Sequence, residues 1–289
     1  MSHRNNLASS VRIVPTGAAL AADVEGVDLS RPLDAGVISV LRRAWLDHLV
    51  LRFRRQQLSD RQLADFSAGF GELDRAPVDV QEPDDVRSFI SVISNVIEDG
   101  KPIGGLGDGE SKWHTDMSYN ELPPTASLLY ALEVPSSGGD TGFCNMYLAY
   151  ETLPPDLKRR IDGLSCKHDA AHNSVGGLRY GFESITDPRE TPGAVHPLVR
   201  VHPETGRKAL FLGRRLFAYV PGLSLADSDD LLDALWSHAT QEHLDWYQQW
   251  RVGDLLMWDN RCVMHRRDGF DPAARRVMHR TQLLGDRPH

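Results

Sequence analysis

The 289-residue chain reads as a mainly β protein with flanking helices, a sandwich or barrel core clad on its outside. Two patterns lead there. From Ser88 onward, short β-rich runs bounded by turn residues recur, and the long stretches with helical spacing lie outside them. All-β units of this size are commonly single domains, so one domain over 1–289 is expected, with residues 1–12 flexible.

In chain order, Leu33 to His48 carries Val37, Leu41, Trp45 and His48 along one helical face and runs into a strand-like Leu49 to Phe53. A second helix is expected from Ser59 through Phe70. Ser59 is a good N-cap, Gln62 three residues on completes a capping box, Leu63, Phe66 and Phe70 form the buried stripe, and Gly71 ends it. Phe89 to Ser94 reads as a strand. Gly104 to Gly109 is a glycine-rich loop, but Glu110 to His114 follows it in place of an apolar helix, so a mobile loop beside a site fits better than a nucleotide cradle. A helical pair is expected over Met146 to Ile161, strands at Ala194 to His202 and Ala209 to Leu212, and a helix capped near Ser224 over Leu225 to Thr240. Three strand-like runs close the chain, the last from Arg276 to Leu284. The polar stretch His168 to Thr191 is expected to be a lid, 168–192, or an insert.

Hydrophobic residues at 41% and charged residues at 25% are ordinary globular usage and permit a sizeable core. The net charge of -8, without a basic block, lacks the footprint of a nucleic-acid binder. An acidic protein that takes an anionic substrate must concentrate arginines locally. Cys144, Cys166 and Cys262 are too few and scattered for a disulfide framework or zinc ribbon, which suits a cytoplasmic protein. No run approaches the roughly 20 apolar residues of a membrane span, and the first residues carry no signal-peptide core.

A facial metal site needs two imidazoles and one carboxylate on one side of the ion. On a strand, His-x-Asp supplies two of them on one face. With 12 His and 40 acidic residues, chance gives about 1.7 His-x-acid matches, and three occur, so spacing alone does not choose. His202-Pro203-Glu204 runs into the turn Thr205-Gly206, and His243-Leu244-Asp245 opens an aromatic run. His114-Thr115-Asp116, between Trp113 and Met117-Ser118-Tyr119 just after the glycine-rich loop, suits an ordered site with an opening. His265 is the best third ligand, expected on an opposing strand. Near it, Arg276 and Arg280 share one strand face and Arg275 points away, so two inward guanidinium groups call for anions. His168 and His172 have ligand-like spacing, but Asn173-Ser174 and Gly176-Gly177 disfavour a helix there. Cys262 reads as a small core residue.

These segments resemble the taurine dioxygenase family, which includes the dioxygenases of phenoxyalkanoate herbicides. Trp113 to Asp116, Pro123-Pro124, Pro135 to Thr141, His202 to Lys208, Trp258 to Arg261 and Arg276 to Arg280 stand in family order, covering nearly the whole chain. The resemblance implies a double-stranded β-helix, or jelly roll, with iron(II) held by His114, Asp116 and His265. It implies that Arg276, assisted by Thr141, binds the distal carboxylate of the cosubstrate 2-oxoglutarate, and that Arg280 binds an anionic group of a small organic substrate. Glu110 stands where the taurine enzyme has an asparagine, and no histidine between Gly71 and Ser111 matches its other polar contact, so taurine itself is disfavoured. Tyr119, with His172 and Arg179, is a candidate for shaping the substrate pocket. The implied reaction consumes oxygen and 2-oxoglutarate, releases succinate and carbon dioxide, and hydroxylates the substrate, with cleavage where the carbon bears oxygen, nitrogen or sulfur. Asp116 argues against halogenation, which needs that coordination position vacant. Desaturation or epoxidation of a carboxylic acid is an alternative outcome; a zinc hydrolase with the same ligands is the alternative of another class, though no general base is evident. A homodimer or tetramer is expected.

Overall fold

The computed structural model of the chain describes residues 11–76, 85–108 and 111–289. An eight-stranded sheet runs in the order Arg12–Pro15, Ala22–Glu25, Val50–Phe53, Leu255–Asp259, Ala126–Glu133, Val277–Leu283, Ser91–Ser94, Gly105–Leu106. A four-stranded sheet runs Asp245–Gln248, Thr141–Asn145, Val263–Arg267, Ser111–His114. Period-two alternation sorts the side chains. On the central Ala126–Glu133 strand, Leu129 and Ala131 join Phe143 and Trp258 in a core shared by both sheets, whereas Leu128 and Tyr130 face a second core under the helices. Both faces of this strand are thereby covered, which explains its nearly unbroken apolar sequence.

The helices follow from local chemistry. Helix α1, Ala35–His48, starts where the Asp34 carboxylate accepts the Val37 N–H, and it buries Val37, Leu41, Ala44 and Trp45. His48 stays half-buried. In α2, Asp60–Ala68, the Ser59/Gln62 capping box forms as its spacing predicts. The helix stops two residues short of Phe70, with Gly69 as its C-cap. The pair α3, Met146–Glu151, and α4, Pro155–Ile161, is present, and α5, Leu225–Ala239, is capped by the Ser224 hydroxyl. Leu231, Leu232 and Leu235 of α5 complete the core between the sheets.

Three expectations change in detail. The 194–202 run splits at Leu198 into Val195–Pro197 and Val199–Val201, which pair with different strands, because Pro197 has no N–H to carry one ladder through. The glycine-rich loop is in part an edge strand: Gly105–Leu106 pairs in parallel with Ser91–Ser94. Gly104 approaches so closely that a Cβ there would lie 2.5 Å from the Val92 carbonyl oxygen. The 168–191 stretch is irregular, yet Asp169 anchors its base by accepting from the Ala171 N–H, the Thr191 hydroxyl and His172. Among the described residues no helix is long and apolar enough to cross a membrane.

Candidate active site

His114 ends one strand of the small sheet and His265 lies directly opposite it on the neighbouring strand. The third residue departs from strand geometry. Asp116 sits past the end of the strand, in the turn that continues through Met117 at φ 44°, and the turn brings its carboxylate back toward both rings. Thus His265 neighbours His114 in one sheet where an opposing strand was expected, and a turn does what strand alternation was expected to do. His114 Nε2 and His265 Nε2 stand 3.7 and 3.8 Å from Asp116 Oδ1, and one ligand atom from each residue falls within 4.8 Å of the others. The His114 Nδ1 faces the Lys112 carbonyl at 2.7 Å. A carbonyl only accepts, so Nδ1 carries the proton and the Nε2 lone pair faces the site.

The charge states suit metal binding. Burial raises the Asp116 carboxyl, but Arg280, His265 and His114 outweigh it and hold the group well below the usual carboxylate range. Burial, with the neighbouring His114, pushes His265 down to about 3. Two imidazoles and one carboxylate, all buried, form a donor set that fits a divalent transition metal. The Ser127 hydroxyl donates to Asp116 Oδ2 at 2.7 Å and in turn accepts from the Asn260 amide at 2.9 Å. Trp258 Nε1–H donates to Asn260 Oδ1, so part of the Trp258-Asp259-Asn260-Arg261 motif positions the carboxylate.

Two adjoining spaces meet at the triad and share His114, Asp116 and Arg280 in their lining. An inner cavity of about 50 Å³ is lined by Thr141, Ser111, Arg267 and Arg276. Arg276 is 2% exposed, its guanidinium has no acidic partner within ion-pair distance among the described residues, and burial, then Arg267, lowers it to about 9. The Thr141 hydroxyl accepts from Trp250 Nε1–H at 2.9 Å. Arg275 points outward to Glu133 and Glu98 while Arg276 lines the cavity, the orientation that strand parity predicts. An outer cleft of about 510 Å³ is lined by Tyr119, Arg179, Arg214, Arg280 and Gln282. Arg280 Nη1 lies 3.3 Å from Asp116 Oδ1 and borders both spaces. Glu110 lies outside the described residues. His172 faces Asp169 and stacks on Phe217.

Sequence reasoning missed Ser127, Asn260, Gln282, Arg267 and Arg214. Apart from Asn260, inside a quoted motif, none carries a local signal, because their roles come from pairings across strands. The second candidate grouping, His202, Asp259 and Cys262, is a hydrogen-bonded network: Asp259 accepts twice from the Arg261 guanidinium, once from the Arg261 backbone N–H and once from His202, and Arg261 also reaches Glu204. The 202–206 turn is thus pinned to the strand that ends at Asp259.

A buried His-Asp-His triad beside a small arginine-lined cavity and a larger cleft has the donor set of a candidate mononuclear metal site. The chain belongs to the taurine catabolism dioxygenase TauD, TfdA family, whose profile matches residues 12–282, and it is a 2-oxoglutarate-dependent dioxygenase. It is 37% identical to the alpha-ketoglutarate-dependent 2,4-dichlorophenoxyacetate dioxygenase of Cupriavidus pinatubonensis, over 96% of this chain and 99% of that protein. It is 34% identical to the (S)-phenoxypropionate/alpha-ketoglutarate-dioxygenase of Sphingobium herbicidovorans, over 95% of each. The crystal structure of AAD-2 in complex with Mn(II) and N-oxalylglycine superposes with a TM-score of 0.79, at 31% identity over 96% of this chain and 98% of that one.

Proposed function

We propose that the protein hydroxylates a small carboxylic or sulfonic acid, with iron(II) held by His114, Asp116 and His265 in a double-stranded β-helix formed by the two sheets. The observation that carries this is the division of space around one triad. The inner cavity has a buried, unpaired Arg276 and the Thr141 hydroxyl; the outer cleft has Arg280. Two acids can therefore approach the triad together, one in the smaller cavity beside His114, Asp116 and His265 and one in the larger cleft beside His114 and Asp116. A dicarboxylate cosubstrate fits the inner position, where its distal carboxylate would offset the Arg276 charge. The substrate anion fits Arg280. The relatives named for phenoxyacetate and phenoxypropionate act on carboxylates of this kind, and the AAD-2 crystals hold a divalent metal and an oxalyl compound.

When bound, iron(II) supplies activation of oxygen, with electrons drawn from 2-oxoglutarate as it becomes succinate and carbon dioxide. The protein residues orient and exclude. Arg276 and Arg280 fix two acids by their charged ends. Ser127 and Gln282 hold Asp116 Oδ2, leaving Oδ1 toward the histidines. The 168–192 segment acts as the lid: Asn173, Ser174 and Arg179 line the cleft from it, while Asp169 fixes its base. Hydroxylation at a carbon bearing ether oxygen gives a product that collapses with C–O cleavage.

The test is succinate formation by the iron(II)-loaded protein with 2-oxoglutarate across phenoxyalkanoates, alkyl carboxylates, alkyl sulfonates and sulfate esters. Succinate stimulated by at least one acid, lost in His114→Ala and reduced in Arg280→Ala, is the expected result. Failure of the protein to bind 2-oxoglutarate would end the proposal.

A further inference from the structure

The outer cleft holds more positive charge than one substrate carboxylate would neutralise. Arg214 is 8% exposed. Of its five N–H donors, Nη1 donates to the His172 carbonyl, the guanidinium lies 5.7 Å from the Tyr119 ring, and Nε has no partner. No carboxylate is within ion-pair distance among the described residues. The two nearby acids are both engaged. Asp116 is held by Ser127, Gln282 and Arg280, and Asp169 by His172, Ala171 and Thr191. Arg179 also lies over the Tyr119 ring, its guanidinium 4.4 Å from the ring centroid, and the closeness of Arg179 adds to burial in lowering the Arg214 pKa.

Arg214 is placed there by its neighbour. Gly213 sits at φ +65°, and a Cβ on it would lie 1.9 Å from His168 Nδ1 and 2.6 Å from the Ser118 hydroxyl. Its carbonyl accepts the Thr115 N–H at 2.9 Å, and Arg214 bridges to His114. The segment is thus locked beside the triad, and its next side chain enters the cleft that holds Arg280. A buried cation whose donors are left unmet is costly unless an anion arrives. Arg214 is absent from the lining of the inner cavity, so the cosubstrate does not supply that anion.

We propose that Arg214, with Arg179 beside it, forms a second anion subsite in the outer cleft, so that the substrate carries two acidic groups, one for Arg280 and one for Arg214. This rests on the oxygenase reading above and names its substrate class: a diacid, oxidised between or beside its two charged ends. The Tyr119 ring contacts both Arg179 and Arg214 of this subsite and lines the same cleft.

The test uses the protein loaded with iron(II) and 2-oxoglutarate, without oxygen. Calorimetry gives Kd for two matched pairs that differ by one carboxylate: phenoxyacetate against 4-carboxyphenoxyacetate, and octanoate against suberate. In at least one pair the diacid should bind about 10- to 100-fold more tightly, the range of a charge-assisted hydrogen bond. Arg214→Gln should erase that preference and Arg214→Lys retain part of it; Arg179→Gln should reduce it. A thermal midpoint for each variant reports folding. Equal or weaker binding of the diacid in both pairs, or a preference that survives Arg214→Gln in folded protein, overturns the inference. Failure of the oxygenase reading looks different: the unsubstituted protein would then not bind 2-oxoglutarate at all.

Discussion

His114 and His265 stand opposite each other on adjacent antiparallel strands, their ring centroids 4.2 Å apart. The strand pairing alone sets this spacing, so the sheet delivers two imidazoles before any ion arrives, and the 116–119 turn adds the carboxylate. If these residues hold the metal as proposed, replacing either histidine leaves two ligands. His265→Ala should weaken cobalt(II) binding, used as a probe, by more than the roughly 10- to 100-fold that loss of an outer partner costs. The direct check is equilibrium titration of the apo protein. Binding within tenfold of the parent would show that His265 is not a ligand.

The outer partners make a separate prediction. Ser127 links Asn260 to Asp116 by bonds of 2.9 and 2.7 Å, all buried. Ser127→Ala removes one donor to Asp116 Oδ2 and leaves the Asn260 amide with less to bind. Metal affinity should fall about 10- to 100-fold, with the cosubstrate affinity following only through the metal. Unchanged metal titration in a folded Ser127→Ala protein would show that the chain is a packing feature.

Arg276 permits an opposite-sign pair of effects from one substitution. Its guanidinium is buried without an acidic partner, so in ligand-free protein it is a cost, and in the complex it is a clamp. Arg276→Met should raise the thermal midpoint of the ligand-free protein while weakening 2-oxoglutarate binding by about 1.5–3 kcal/mol, that is roughly 10- to 150-fold. Melts with and without 2-oxoglutarate decide it. A variant destabilised in both conditions would place Arg276 in the scaffold.

The helices and the strand parity of Arg276 and Arg280 were legible because they are local: a capping box or a period of two lies within a few residues. The triad residues were legible in part for the same reason. His114-Thr115-Asp116 is a short motif, yet its geometry comes from a turn at Met117 that spacing does not reveal. His265 was chosen for its surroundings, and the register that sets it against His114 depends on strands some 150 residues apart, as in the Arg267–Ser111 bond. Ser127 and Arg214 were not legible at all. Ser127 acts through strand neighbours, and Arg214 owes its place to a glycine required by its positive φ and by the close approach of the His168 ring and the Ser118 hydroxyl.

That same ring yields a pH prediction. His168 is 1% exposed, with both ring nitrogens unpartnered among the described residues and its face stacked on Phe211. Burial, then His196 and Arg214, pushes it down to about 3. In the unfolded chain an imidazole titrates near 6.5, so between these values the unfolded state binds the extra proton. The stabilising contribution is therefore intact above about pH 6.5 and is lost as pH falls from there toward 3, at up to about 1.4 kcal/mol per unit. His265 acts in the same direction in the metal-free protein. His168→Leu should remove one proton from this dependence: urea unfolding of apo protein at pH 7.5, 6.0 and 5.0 should show a shallower acid slope than the parent. Parallel slopes in the two proteins would mean that His168 is already protonated, or reached by water, in the folded state.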